Sequence, residues 1–200
     1  MRLFALSESR PFATRVAEAL GHGLDPLEER DFEDGEHKLR PLVGVRGADA
    51  YAVQSLHGSP GASPNDRLCR LLFLLGALRS SGAGRLTAVI PYLAYARKDR
   101  QTKRRDPLTL RYVAELIEAM GAHRVVTMEV HNLAAFQNAF RVETAALDIR
   151  PVLTERAAAI AGQGPVAVVS PDPGGVKRAQ LFREALERRL GRDVGMALQI

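Results

Sequence analysis

The sequence predicts an α/β protein built on a mainly parallel sheet with helices on both faces. Short apolar runs at Leu3 to Leu6, Tyr51 to Val53, Leu86 to Ile90, Arg124 to Met128 and Val166 to Ser170 read as buried strands. Helical segments separate them, and strands that recur between helices belong to a parallel sheet covered on both sides. A third observation is a change of texture after the first helix. The stretch EERDFEDGEHKLRPLVGVRG has Asp34-Gly35 between two short extended runs, so a β-hairpin is expected near residues 28–46, projecting from the sheet.

In chain order, helices are expected at Pro11 to Leu20, Asp66 to Arg79, Leu108 to Met120, Pro151 to Ala161 and Val176 to Leu190. The third is the most sharply bounded. Pro107 opens it, Leu110, Val113, Leu116, Ile117 and Met120 keep a helical period, and Gly121 ends it. Two hundred residues, 46% hydrophobic and 26% charged, suffice for one ordinary domain or two small ones. The single cysteine, Cys69, excludes an internal disulfide framework, and its neighbours Leu68, Leu71 and Leu72 place it in the core. No apolar run approaches the length of a membrane span, and the start MRLFALSESR lacks a signal-peptide core, so a soluble, cytoplasmic protein is expected.

The net charge of +5 is concentrated in one place. PYLAYARKDRQTKRRD, Pro91 to Asp106, carries six Lys or Arg within ten residues: Arg97, Lys98, Arg100, Lys103, Arg104 and Arg105, offset by Asp99 and Asp106. The cluster lies between a strand and a helix, where open α/β sheets bind ligands and helix N-termini favour anions. On this segment alone, a polyphosphate site, a solvated basic loop and a nucleic-acid patch all remain open.

Three more loops carry polar chemistry. Glu129-Val130-His131-Asn132 follows a strand, and His131 could ligate a metal, act as acid or base, or do neither. Ser170 to Gly175, SPDPGG, lets the backbone approach a ligand closely, and Asp172 offers either an oxygen to hydrated Mg2+ or an ordinary N-cap. Phe32-Glu33-Asp34-Gly35-Glu36 reads by itself as a tight turn with solvated acids. The basic, histidine and Asp-Gly-Gly loops are expected to open on the same edge of one sheet, the composition of a Mg-polyphosphate site. Neither G-x-x-x-x-G-K-[ST] nor G-x-G-x-x-G occurs, so any nucleotide is held by side chains and ordinary loops.

The order FEDGE, VRG, PYLAYARKDR, a long helix, EVHN and VVSPDPGGVKRA resembles ribose-phosphate pyrophosphokinase, also called phosphoribosyl pyrophosphate synthetase, from Leu3 to about Leu198. The resemblance implies two tandem phosphoribosyltransferase-like domains in a homo-oligomer, hexamer or dimer. It also implies transfer of a diphosphoryl group from MgATP to ribose 5-phosphate, giving AMP and phosphoribosyl pyrophosphate. Under it, Arg97, Lys98, Asp99 and Arg100 bind ATP, Lys98 standing where the family commonly has glutamine. Phe32, Asp34 and Glu36 match a hairpin that grips a neighbour's adenine. His131 and Asp172 match the residues that hold Mg2+ and serve catalysis, with Glu129 where the family usually has a shorter acid.

The domains expected are 1–150, phosphoribosyltransferase-like, and 151–200, the start of a second similar domain cut off at residue 200. The family's mobile Lys-Arg loop and its paired-aspartate loop would lie beyond Ile200, so the 200-residue chain alone is expected to be inactive. A non-catalytic regulatory relative is the alternative function. A nucleic-acid module is disfavoured, with no recognition-helix motif, no Trp, seven Phe and four Tyr.

Overall fold

Five strands form the central sheet of the computed structural model, which describes residues 1–199. They are β1 (Arg2–Ala5), β4 (Asp49–Val53), β5 (Arg85–Ile90), β6 (Arg124–Met128) and β7 (Glu143–Leu147), hydrogen-bonded in that order and all parallel. The helices between them are α1 (Arg10–Ala19), α2 (Pro64–Ser80), α3 (Thr109–Ala119) and α4 (Leu133–Ala139). The expected α/β fold with a mainly parallel sheet is therefore present. Two elements had no counterpart in the sequence reading: the seven-residue α4 and the edge strand β7.

Side chains alternate across a strand, and here the alternation separates two cores. Phe4, Ala50, Ala52, Leu86, Ala88, Ile90 and Val125 pack with the leucines of α2, the inner residues of α3 and Phe136 of α4. Leu3, Ala5 and Val53 face the other way, onto Ala13 and Ala17 of α1. On α2, Leu71, Leu74, Leu75 and Leu78 are fully buried, and truncating any one to alanine should cost roughly 2–5 kcal/mol. The same phase corrects the expectation for Cys69. It is exposed, as is Phe73, because both fall on the outer side of the helix whose inner side carries those leucines.

The start of α2 is a capping box: Ser63 Oγ accepts from Asp66 N at 3.2 Å, and Asp66 Oδ2 accepts from Ser63 N at 2.8 Å. After α2 the chain passes so close to the turn before β4 that a Cβ at Gly84 would stand 2.9 Å from the Gly47 carbonyl oxygen. The hairpin is β2 (Leu27–Asp31) with β3 (His37–Pro41), a separate antiparallel pair. It is anchored on α2: His37 stacks on Phe73 at 5.2 Å, and Arg70 pairs with Asp31.

The chain divides into two compact units, Met1–Leu147 and a second beginning at Asp148. The second contains α5 (Arg150–Ile160), β8 (Ala167–Ser170), α6 (Val176–Leu190) and β9 (Gly195–Leu198), with β8 and β9 paired in parallel. Among the described residues, no helix is long and apolar enough to cross a membrane.

Candidate functional site

β5 leads into the loop from Pro91 to Leu108. Its first part is part of the core: Leu93, Ala94 and Ala96 are buried, and Leu56 N donates to Tyr92 O at 2.9 Å. Tyr95 has φ +65°, a conformation non-glycine residues rarely adopt, and its hydroxyl donates to Asn65 in the first turn of α2. Arg97 thus leaves a fixed turn. Arg97, Arg100, Lys103, Arg104 and Arg105 are exposed.

Lys98 is held differently. Its ammonium donates to Asp106 Oδ2 at 2.6 Å, and the same oxygen accepts from Thr102 Oγ1 at 2.7 Å, Thr102 N at 3.1 Å and Lys103 N at 2.9 Å. Lys98, then Thr102 and the Lys103 amide, hold the Asp106 carboxyl far below the usual carboxylate range. Asp106, which looked in the sequence like a mere counter-charge, closes the loop.

β6 is the neighbour of β5 and runs parallel to it, so the loop bearing His131 leaves the same sheet edge. Glu129 has φ +47°, and its amide donates to Leu147 O at 3.1 Å. His131 is exposed. Next to it, Asn132 makes two bonds with one side chain: Oδ1 caps α4 by accepting from Ala135 N at 3.2 Å, and Nδ2 donates to Asp99 Oδ2 at 2.9 Å. The basic loop and the histidine loop are tied together through Asp99 and Asn132. The capping role of Asn132 had no counterpart in the sequence reading because the short helix after it had none; the signal that could have found it is an Asn directly before Leu133-Ala134-Ala135-Phe136, while its second bond, 33 residues distant, had no such signal.

The hairpin tip stands apart. Glu36 N donates to Asp34 Oδ1 at 3.1 Å and Phe32 N to Glu36 O at 2.8 Å, while Arg30 lies 5.1 Å from the Phe32 ring centre. Phe32 is 41% exposed. Burial first, then nearby Arg70, pushes the His37 imidazole below its usual value. Among the described residues no hydrogen bond or ion pair joins Phe32, Asp34 or Glu36 to the loops of Arg97 and His131.

Asp172 follows β8 in the second unit. Its Oδ1 accepts from Gly175 N at 2.8 Å, and Ser170 Oγ donates to its carbonyl at 2.8 Å, the N-capping arrangement. A Cβ on Gly175 would lie 2.8 Å from Ser170 Oγ, so a side chain there would have to displace the hydroxyl that bonds the Asp172 carbonyl. The expectation that all three loops open on one edge of one sheet is corrected: β8 pairs with β9, outside the five-stranded sheet. An alternation of strands and helices does not say which strands hydrogen-bond to one another. Among the described residues no group of three His, Cys, Asp or Glu side chains converges as a metal cage.

Residues 1–121 match the family model for the N-terminal domain of ribose phosphate pyrophosphokinase. The chain belongs to the ribose-phosphate pyrophosphokinase family. It is 39% identical over 190 residues to the ribose-phosphate pyrophosphokinase of Caldanaerobacter subterraneus subsp. tengcongensis, covering 95% of this chain and 58% of that one. The Clostridium perfringens enzyme of the same name is 39% identical over 189 residues, 93% of this chain and 57% of its own. The crystal structure of phosphoribosylpyrophosphate synthetase from Mycobacterium smegmatis superposes with a TM-score of 0.88 at 31% identity, over 100% of this chain and 64% of that one. The fold is therefore phosphoribosyltransferase-like, and the chain spans somewhat over half the length of the curated relatives it matches.

Proposed function

We propose that this chain carries the ATP-binding part of a ribose-phosphate diphosphokinase, which moves the diphosphoryl group of MgATP onto ribose 5-phosphate. The observation that carries the reading is the Asp99–Asn132 bond, which holds a loop of exposed cations against the loop of His131 at one sheet edge. Polyphosphate transfer is mainly positioning plus electrostatic stabilisation, and a basic loop fixed against a second loop supplies both. In this reading Arg97 and Arg100 meet the phosphates and Asp99 positions them. Lys98, already engaged by Asp106, shapes the loop and adds only to the general positive field.

A Mg2+ ion suits this donor set as a companion of the nucleotide, because Mg2+ keeps most of its waters and takes one or two protein ligands together with phosphate oxygens. His131 is the donor proposed in the first unit; Asp172, whose Oδ1 is taken by Gly175 N, is proposed separately as a metal-side and catalytic acid of the second unit. When bound, the ion neutralises phosphate charge. Phe32, Asp34 and Glu36 are proposed to meet the adenine of a neighbouring subunit, which makes a homo-oligomer part of the reading. The second unit is proposed to open a second domain of the same type, in keeping with the greater length of the relatives.

The test is a thermal-shift titration with MgATP and with random duplex DNA, followed by an assay of AMP release with ribose 5-phosphate. MgATP should raise the melting temperature by mass action, and DNA should do much less. Stabilisation by DNA alone would sink the small-molecule reading, and nucleotide binding without turnover in a chain extended to the relatives' length would favour a regulatory relative.

A further inference from the structure

One charged residue lies on the apolar side of α2. Arg67, one turn before Leu71, is only 2% exposed. An arginine stays protonated, and a buried cation is costly unless an anion meets it. Among the described residues its hydrogen-bonding partners, His57 and Ser59, include no acid. Nη2 donates to Ser59 Oγ at 2.6 Å, and Nε has no hydrogen-bond partner among the described residues. Nη1 lies 3.2 Å from Nδ1 and equally 3.2 Å from Nε2 of His57. The two ring nitrogens of an imidazole point away from each other, and in the neutral ring only one of them can accept, so a donor equidistant from both is aligned with neither.

The acid next to it in sequence is otherwise engaged: Asp66 accepts from Ser63 N and Ser63 Oγ in the cap of α2. His57 and Ser59, by contrast, are exposed, on a loop that turns at Gly61 with φ +83°. They cover the guanidinium rather than neutralise it.

We propose that Arg67, with His57 and Ser59, forms an oxyanion site at the carboxyl end of β4, taking a phosphoryl or carboxylate group. The planar fork of a guanidinium presents Nε–H and an Nη–H side by side, the match for two oxygens of one such group. Here the first of those donors is buried without a partner among the described residues, and the others are held by a weakly aligned ring and a hydroxyl, which an entering anion would displace. Among the described residues no hydrogen bond or ion pair joins Arg67, His57 or Ser59 to Arg97 or His131, although the same helix turn carries Asn65, the acceptor of the Tyr95 hydroxyl from the basic loop. It stands whether or not the nucleotide reading does.

The experiment follows the Arg67 Nε–H resonance by NMR while the chain is titrated, at constant ionic strength, with inorganic phosphate and separately with succinate. A saturable shift of that resonance is expected, with Arg67→Gln weakening the same binding by about tenfold or more and His57→Ala by less. Response to phosphate alone identifies a phosphoryl ligand, and response to succinate alone a carboxylate. Arg97→Ala should leave the Arg67 shift unchanged. If the resonance does not move with either anion, or moves only in step with Arg97, the site does not exist. Should Arg67→Gln fail to fold, the wild-type resonance and the His57→Ala variant, altered at an exposed side chain, decide the matter alone.

Discussion

Removing the Asp99 carboxylate separates position from charge in the basic loop. Asp99 is a negative group among cations, so by charge alone its loss should help an anion. One repulsion at about 8 Å in water amounts to about 0.5 kcal/mol, roughly a twofold gain in affinity. By position it should do the reverse. Asp99 Oδ2 is the acceptor that Asn132 Nδ2 reaches at 2.9 Å, and it ties the loop after β5 to the loop after β6. An exposed, charge-assisted bond contributes about 1 kcal/mol, and re-ordering even one released loop residue on binding costs about 1–2 kcal/mol. A positional loss of about 2 kcal/mol against a gain of about 0.5 leaves Asp99→Ala weaker for MgADP by about tenfold.

Calorimetry on three variants makes the signs explicit. Asp99→Asn keeps an acceptor oxygen and drops the charge, so it should bind as well as the parent or better. Asn132→Ala removes the tie and also the cap of α4, so its melting temperature should fall as well, the cap alone contributing about 1 kcal/mol. Combining Asn132→Ala with Asp99→Ala should add little further loss of affinity, since both delete one interaction. MgADP binding by Asp99→Ala that matches or exceeds the parent would refute the positional argument and reduce Asp99 to a counter-charge.

His131→Ala should weaken nucleotide binding chiefly when Mg2+ is present; equal losses with and without the ion, measured by calorimetry, would remove the imidazole from the metal's surroundings. Because the Asp106 carboxyl is lowered in the folded chain, its contribution to loop order is complete above the ordinary carboxylate value of about 4 and is lost as pH falls through the depressed one. Amide protection of Thr102 and Lys103 should therefore hold from neutrality down to about pH 4 and decline below, and Asp106→Asn should abolish that dependence. Cys69, being exposed, should react with a thiol reagent in the native chain at a rate close to that of the unfolded one, without loss of helical signal. Reaction only after denaturation would restore the core placement.

The apolar strands β1, β4, β5 and β6 and the amphipathic helices could be read directly from residue order, because burial on both faces demands continuous apolar runs and helical burial demands a 3.6 period. β7 and α4 could not. ETAAL has Thr144 as its one β-branched residue, has no aromatic, and lies at the sheet edge, while α4 is two turns long and has Phe136 as its buried residue. The residue types of the site were equally visible: a loop of cations, a histidine after a strand, an Asp-Gly-Gly turn.

Residue order alone did not decide which of these meet. Register across parallel strands placed the Arg97 and His131 loops side by side, and pairing of β8 with β9 put Asp172 on a different sheet. The same holds for charge. Lys98 and Arg97 are neighbours in sequence, yet one is paired with Asp106 and the other is exposed, and Arg67 is buried without a carboxylate partner among the described residues while Cys69, two residues on, is exposed. Periodicity assigns a side chain to a face, but its hydrogen-bonding partners come from other segments, 8 residues away for Lys98 and Asp106 and 33 for Asp99 and Asn132, and their identity is fixed only when the chain has packed.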